Sequence, residues 1–252
     1  MKPAVVVDVG NTRIKWGRCG ADRIEEIAPL PADDPVSWQR QCEAWRLPAD
    51  ACWVLSGVHP SHRDRLRQWL LERGSCVGEI NSYRQVPIEV AVDFPEKVGI
   101  DRLLNAAAAQ SRRPAGKVAF LVDAGSAVTV DVLDEAGRFR GGAIMPGLRL
   151  MADTLHRMTA MLPLVGVTER FDPPGRSTIP AMQAGIFHAV LGGIESLLRS
   201  TRTLFGDEGI LLFGGGDAAI LAPHLSSPTV IWPEMTLEGI RRTALAMAEP
   251  MA

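Results

Sequence analysis

One arrangement of residues occurs twice in this chain, and it constrains the fold more than any other feature. Residues 4–17 read AVVVDVGNTRIKWG, and residues 120–132 read FLVDAGSAVTVDV. In each copy an apolar run ends in aspartate, a glycine corner follows, and a second run begins, which predicts a β-hairpin with a carboxylate at its mouth. Three residues correspond at a constant offset of 115, namely Val7 with Val122, Asp8 with Asp123 and Gly10 with Gly125. Two such hairpins predict two related halves that face one site.

The residue types at both corners suit phosphate chemistry. Glycine lets the backbone approach an oxyanion closely, and the small side chains of Asn11, Thr12 and Ser126 add hydrogen-bond donors. An aspartate beside such a corner can hold a hydrated divalent cation. Either copy alone is equally compatible with an ordinary hairpin turn. The alignment of two copies favours phosphate binding.

Composition narrows the class of protein. With 252 residues, 46% hydrophobic and 22% charged, the chain can bury a full core. A net charge of −2 without a long basic run argues against nucleic acid as a partner. The N-terminus lacks the pattern of a signal peptide, and no apolar run approaches the length of a membrane span. Four cysteines without a C-x-x-C spacing indicate reduced thiols. We therefore expect a cytoplasmic protein without a membrane partner.

Hydrophobic periodicity predicts alternating strands and helices around the two hairpins. In the first half, further strands are predicted at 23–27, 52–58 and 76–80 and helices at 36–45 and 60–73. In the second half, strands are predicted at 137–146, 210–213 and 229–232 and helices at 147–160, 178–205 and 237–248. The polar segment 111–117 is the predicted connection. The order predicts an α/β fold with two lobes, residues 1–113 and 114–252, each with a mixed sheet.

A second informative stretch, DFPEKVGIDRLLNAAAA at 93–109, precedes the connection. Asp101 and Arg102 open an alanine- and leucine-rich helix, whose positive end favours an ionised carboxylate. Such an aspartate can accept a hydroxyl proton, and the neighbouring guanidinium can bind a carboxylate or phosphate. An aspartate in the first turn is also an ordinary helix-stabilising choice. This stretch alone leaves both interpretations open.

Seven motifs, taken in order, resemble the type III pantothenate kinase family along nearly the whole chain. They are DVGNT at 8–12, GIDR at 99–102, DAGSAVTVD at 123–131, GGAIMPG at 141–147, TAMLP at 159–163, GRST at 175–178 and FGGGDA at 213–218. The tandem hairpins also resemble those of the wider superfamily of acetate and sugar kinases, Hsp70 and actin. The resemblance implies two lobes of the ribonuclease H-like, actin-like ATPase type, with five-stranded sheets flanked by helices and a cleft between the lobes.

The resemblance also implies a reaction, in which the γ-phosphoryl group of ATP is transferred to the 4′-hydroxyl of pantothenate in the first step of coenzyme A biosynthesis. The residues implied to bind ATP phosphates are Asp8, Gly10, Asn11, Thr12, Lys15, Gly125, Ser126 and Thr129. Asp8 would hold Mg²⁺ through water, and Asp123 would bind a monovalent cation, K⁺ or NH₄⁺. Phosphoryl transfer needs mainly positioning and charge neutralisation, which such a set of residues can supply.

For the acceptor, the resemblance implies that Asp101 is the catalytic carboxylate and that Arg102 meets the carboxylate of pantothenate. Gly99 and position 92 would line the substrate site, and Thr178 would reach it across a homodimer interface. Two residues depart from the family pattern. Ser126 stands where threonine is usual, which keeps the hydroxyl, and Val92 stands where tyrosine is common, which removes a phenol near the substrate.

Two other functions are compatible with these residues. A non-catalytic regulatory protein on the same fold has no chemical need for Asp8, Asp101 and Asp123 together, which argues against it. A kinase for another small hydroxylated acid is kept open by Val92. A zinc-containing sugar kinase is disfavoured because the cysteines are not clustered.

Overall fold

The computed structural model describes residues 2–10 and 13–248. The chain forms two compact units. Unit 1 contains the described residues up to Arg112 together with those from Glu234 onward, and unit 2 runs from Arg113 to Pro233. Each unit is built on its own five-stranded sheet.

Unit 1 begins with the first hairpin and continues through alternating helices and strands. Its elements are β1 (Val5–Val9), β2 (Ile14–Cys19), β3 (Ile24–Leu30), α1 (Pro35–Ala44), β4 (Cys52–Gly57), α2 (Pro60–Glu72), β5 (Cys76–Ile80) and α3 (Ile100–Ala109). The strand order is β3-β2-β1-β4-β5. β1 is antiparallel to β2 and parallel to β4, and β4 is parallel to β5. The sheet is therefore mixed, as predicted.

Unit 2 repeats this plan. Its elements are β6 (Val118–Ala124), β7 (Ala127–Leu133), β8 (Phe139–Pro146), α4 (Leu148–Met158), α5 (Thr178–Phe205), β9 (Gly209–Gly214), α6 (Ala218–Leu221) and β10 (Val230–Ile231). The strand order β8-β7-β6-β9-β10 has the first strand of the unit in the centre, as in unit 1. The internal repeat and the predicted α/β class with two mixed five-stranded sheets are confirmed. The cleft between the lobes stays a prediction.

The central strands explain why the repeat is so apolar in sequence. Residues 5–7 of β1 and residues 120–122 of β6 are almost completely buried, because both faces of each sheet are covered. In unit 1 the tryptophans fill the core, with the rings of Trp16 and Trp53 meeting edge to face at 4.8 Å between centroids. Trp16, Trp38 and Trp53 are all fully buried. These residues hold the sheet that carries the first hairpin.

The last helix corrects the predicted domain boundary. The sequence assigned all of 114–252 to the second lobe, but α7 (Met235–Ala248) packs in unit 1. A Cβ atom at Gly239 would lie 2.0 Å from the carbonyl oxygen of Leu104, so only glycine allows this close approach of α7 to α3. Buried Arg241 also donates from Nη2 to the carbonyl oxygen of Asp22 at 2.6 Å. Contacts between residues so distant in sequence could not be deduced from local patterns.

Helix α5 is long and apolar. Among the described residues it is the one helix whose length and composition would allow it to cross a membrane, although the sequence predicted no such segment. A buried core helix passes the same test. Several apolar side chains of α5, among them Phe187, Val190 and Ile194, are fully buried in the core formed with the unit 2 sheet. This packing is typical of a core helix, so α5 is weak evidence for a membrane span.

Candidate functional site

The first hairpin places a carboxylate and a lysine side by side. Asp8 lies one residue before the end of β1, and its partner across the antiparallel pair is Lys15 on β2. Directly paired residues project to the same face of a sheet, so the carboxylate and the ammonium group share one face. Beyond the strand, the backbone N–H of Gly10 donates to the carbonyl oxygen of Arg13 at 3.1 Å. Both Asp8 and Lys15 are half-buried.

A glycine on the neighbouring parallel strand lies against this hairpin. Gly57 ends β4 with a φ of +140°, and a Cβ atom there would lie 2.3 Å from the carbonyl oxygen and 2.6 Å from the nitrogen of Val9. No side chain fits in that space. The next residue, Val58, donates its N–H to the carbonyl oxygen of Val9 at 3.2 Å. Gly57 therefore lets β4 support the backbone that leads from Asp8 into the corner.

The second hairpin has the same geometry with one residue fewer in its corner. Asp123 on β6 pairs with Thr129 on β7, so the carboxylate and the hydroxyl group share one face. The N–H of Gly125 donates to the carbonyl oxygen of Ala127 at 3.0 Å, the counterpart of the bond from Gly10 to Arg13. Ser126, the corner residue between them, is exposed. A donor-bearing, accessible corner is what phosphate binding requires.

Two further glycines allow other segments to pack on the second corner. A Cβ atom at Gly147 would lie 2.1 Å from the carbonyl oxygen of Gly125. Gly215, with a φ of +92°, would place a Cβ atom 2.2 Å from the carbonyl oxygen of Ala124. After this glycine, Asp217 donates its N–H to that same carbonyl oxygen at 2.9 Å. The backbone around Asp123 is thus fixed from two sides.

Gly57 and Gly215 occupy equivalent places in the two units. Each lies at the end of a strand parallel to the central one, and each contacts the residue that follows the hairpin aspartate, Val9 or Ala124. The prediction of site residues from sequence did not include Gly57, Gly147 or Gly215. The internal repeat could have identified Gly57 and Gly215. Each of these glycines lies at the end of the fourth strand of its half of the chain, β4 or β9.

The side chains of Asp, Glu, His and Cys are the usual protein ligands of metal ions. Among residues 2–10 and 13–248, no group of three or more His, Cys, Asp or Glu side chains could hold a metal ion. A cage made only of protein side chains is therefore not present in the described chain. A single carboxylate such as that of Asp8 fits the habit of Mg²⁺ to keep several waters and to be bound through one or two carboxylates and substrate phosphates. Asn11 and Thr12, predicted to bind phosphate, lie outside the described residues.

Asp101 lies in the first turn of α3, which is held rigidly in unit 1. Every residue of the helix from Leu103 to Ala109 is buried. Asp101 itself is half-buried, and its Oδ1 accepts a hydrogen bond from the N–H of Arg102 at 2.9 Å. A Cβ atom at Gly99 would lie 2.6 Å from this oxygen, so the glycine leaves room for the carboxylate. The positive end of the helix dipole favours the carboxylate in its ionised form.

The remaining predicted residues have the following places. Arg102 is half-buried beside Asp101, and half-buried Val92 precedes the short 3₁₀ helix Pro95–Lys97. Thr178, the first residue of α5, is exposed in unit 2. Asp8, Gly10, Lys15, Val92, Gly99, Asp101 and Arg102 therefore belong to unit 1, whereas Asp123, Gly125, Ser126, Thr129 and Thr178 belong to unit 2.

Comparison with solved structures supports the fold. A Campylobacter jejuni protein assigned to the Baf family of transcriptional activators superposes with a TM-score of 0.64 at 16% identity, covering 97% of this chain and 98% of that one. The ROK hexokinase of Thermus thermophilus gives a TM-score of 0.50 at 16% identity, covering 98% and 99% of the two chains. At this identity the likeness concerns the fold alone, and it agrees with the predicted kinase-type architecture.

Comparison of sequences identifies the family. A type III pantothenate kinase of Dehalococcoides mccartyi is 36% identical over 257 aligned positions, which cover 94% of this chain and 95% of that protein. The sequence profile described as type III pantothenate kinase matches residues 4–200. The matched region includes both hairpins and the start of α3, where the site residues described above are concentrated. The chain belongs to the type III pantothenate kinase family.

Proposed function

We propose that this protein is a pantothenate kinase, which transfers the γ-phosphoryl group of ATP to the 4′-hydroxyl of pantothenate and yields 4′-phosphopantothenate for coenzyme A biosynthesis. The observation that carries the proposal is the family match over residues 4–200 in a chain that retains Asp8, Asp101 and Asp123. We also propose a cytoplasmic location, where ATP is abundant, without a nucleic acid or membrane partner.

ATP phosphates are assigned to the two hairpin corners. In unit 1, Lys15 shares a face with Asp8 and can offset phosphate charge, while the backbone N–H groups beyond Gly10 can approach oxyanions. In unit 2, the corner at Gly125 and Ser126 and the hydroxyl of Thr129 supply further donors. Asp8 would hold Mg²⁺ through water, and the bound cation would neutralise charge on the phosphates. Asn11 and Thr12 remain assigned to phosphate from the sequence.

Pantothenate is assigned to the start of α3. The ionised carboxylate of Asp101 would accept the proton of the 4′-hydroxyl, and the guanidinium of Arg102 would bind the substrate carboxylate. Because the rest of α3 is buried, the two side chains are offered from a rigid support. Gly99 keeps the space at the Asp101 carboxylate open, and Val92 presents an apolar surface where a phenol is common in the family.

A homodimer is also proposed, with Thr178 of one subunit reaching the substrate site of the other. Unit 2 exposes a series of large apolar side chains on β8, α4, the segment that follows and the start of α5. They are Ile144, Leu150, Met158, Met161, Leu164 and Ile179. Met161 is 89% exposed and Ile144 is 63% exposed, which is costly in a monomer. Thr178 lies beside this surface in sequence, so covering it with a second subunit would bring the hydroxyl to an interface.

The proposal is tested by ADP release in the presence of ATP, Mg²⁺ and K⁺, with and without pantothenate. We expect turnover that depends on pantothenate, and 4′-phosphopantothenate as the product identified by mass. A folded protein that binds ATP but turns over no pantothenate would contradict the proposal. Turnover with a different hydroxylated acid would instead assign another acceptor, and Val92, which stands where tyrosine is common in the family, would be the first residue to examine for the reason.

The monovalent cation is tested by exchanging potassium for sodium. Asp123 offers one carboxylate, and a single negative charge suits a cation of single charge. We expect activity to fall when Na⁺ replaces K⁺ at equal ionic strength, and to return with NH₄⁺. Equal rates in the two salts would count against this role of Asp123. Choline chloride serves as the control for ionic strength.

A further inference from the structure

Two of the four cysteines lie directly opposite each other on neighbouring strands. Cys52 is the first residue of β4, Cys76 is the first residue of β5, and the two are paired in the parallel ladder. Cys76 is one of the causes that raise the pKa of Cys52, which agrees with two thiol groups lying side by side. No disulfide is present in the described chain. Neither thiol takes part in the proposed kinase site.

The geometry of a parallel pair suits a bridge at this position. Paired residues of neighbouring strands project to the same face, and the strands lie about 4.8 Å apart. Disulfides join residues whose Cα atoms are about 4.4–6.8 Å apart, so the backbone needs little movement. Because the usual Cβ separation in a disulfide, about 3.8 Å, is shorter than the strand spacing, the bridge would carry some strain. Strained and accessible disulfides are easily reduced again.

Accessibility distinguishes this pair from Cys42, and the ease of forming a thiolate distinguishes it from Cys19, which is half-buried as well. Cys52 and Cys76 are half-buried, so a small reagent can approach them. Cys42 is buried in the tryptophan-rich core of unit 1. Burial raises the pKa of Cys19 to about 12, which leaves almost no reactive thiolate at neutral pH. Burial, together with the contact with Cys76, also raises the pKa of Cys52, so oxidation of the pair would be slow.

We propose that Cys52 and Cys76 form a reversible modification site, at which a low-molecular-weight disulfide such as oxidised glutathione converts the two thiols into an intramolecular disulfide. One cysteine thiolate attacks a sulfur of the reagent, whose S–S bond breaks, and one molecule of reduced thiol leaves with a proton. The second cysteine then attacks the mixed disulfide and releases a second reduced thiol. The two cysteines are oxidised, and the reagent is reduced to two thiols.

The bridge would act on the stability of unit 1. It would tie the edge strand β5 to β4 and close the segment that contains β4, α2 and β5, which restricts the unfolded chain. β4 runs from Cys52 to Gly57, and only its far end contacts Val9 beside the first hairpin corner. The disulfide would therefore lie at the start of β4, and the first hairpin corner lies at the other end of this strand.

The test treats the whole folded protein with oxidised glutathione, alkylates the remaining thiols after denaturation, and identifies the fragments by mass. We expect the fragments with Cys52 and Cys76 to be joined, with a loss of two hydrogen atoms, while Cys19 and Cys42 are alkylated. Dithiothreitol should reverse the change. The midpoint of urea unfolding should be higher for the bridged protein than for the reduced protein.

Matched variants separate this site from general oxidation. In C76S, Cys52 should stop at the mixed disulfide with glutathione, and the treated protein should show no rise in the urea midpoint. C19S should form the bridge as the unmodified sequence does. Alkylation of both Cys52 and Cys76 after treatment, or a bridge from either of them to another cysteine, would overturn the proposal. A bridged protein with the urea midpoint of the reduced protein would overturn the stabilising role.

Discussion

Replacing Asp101 by asparagine is expected to lower kcat for pantothenate phosphorylation by about 10²- to 10⁴-fold, the usual contribution of a positioned proton acceptor. The amide has nearly the size of the carboxylate and retains an oxygen that can accept the N–H of Arg102, which Asp101 binds at 2.9 Å. What is lost is the negative charge and the capacity to take the hydroxyl proton. Measurements of initial rate at saturating ATP and pantothenate give the change in kcat.

The control for this variant is Asp64→Asn, which removes one carboxylate from the exposed side of α2. The Asp64 side chain is 70% exposed, and its contact with Arg63, at 3.7 Å, is worth little at a surface. Its kcat should equal that of the unmodified sequence. Circular dichroism and the melting temperature should show that Asp101→Asn is folded. A folded Asp101→Asn enzyme with unchanged kcat would remove Asp101 from its catalytic role.

The elements that sequence could predict are those whose signal is local. β1 and β6 are predicted because each is an apolar run that ends in aspartate and a glycine corner, and the pattern occurs twice. The predicted bounds of α5, 178–205, agree with the structure because the residue before it, Ser177, ends a Pro- and Gly-rich segment and Gly206 follows it with positive φ. In these cases the residues that form a strand or helix and the residues that end it all lie within one short stretch of sequence.

The residues that sequence missed depend on contacts between distant segments. Gly239 is one of many glycines in the chain, and its need for the absence of a Cβ atom follows only from the backbone of Leu104. The assignment of α7 to unit 1 also follows from its packing against α3, β1 and β4, which are distant in sequence. Gly57 and Gly215 likewise matter because a parallel strand brings them against Val9 and Ala124. Two parallel strands pair only after a long connection has crossed from the end of one to the start of the other. The hydrophobic periodicity of a single stretch does not show which strands will be paired in this way.

Replacing Gly215 by alanine should damage both stability and catalysis. The new methyl group would lie 2.2 Å from the carbonyl oxygen and 2.5 Å from the nitrogen of Ala124, so backbone must move. The left-handed φ of +92° adds a cost of about 1–2 kcal/mol, and overpacking adds about 1–3 kcal/mol. Displacement of the backbone beside Asp123 should lower kcat/KM for ATP by about 10²-fold, the effect of a misplacement of about 1 Å.

Gly206→Ala is the matched control, because it changes the same residue type at nearly the same positive φ. Gly206 has a φ of +91°, and a Cβ atom there would meet nothing within 4 Å. With a ψ of 158°, Gly206 lies in a backbone region that is essentially confined to glycine, so this variant should lose only the conformational part, about 1–3 kcal/mol, and keep its kcat/KM for ATP. The difference between the two free energies of unfolding, measured in urea, isolates the clash with Ala124. Equal stability and equal kcat/KM in the two variants would show that the end of β6 yields to the methyl group, and that the close approach at Gly215 does not hold the second hairpin corner in place.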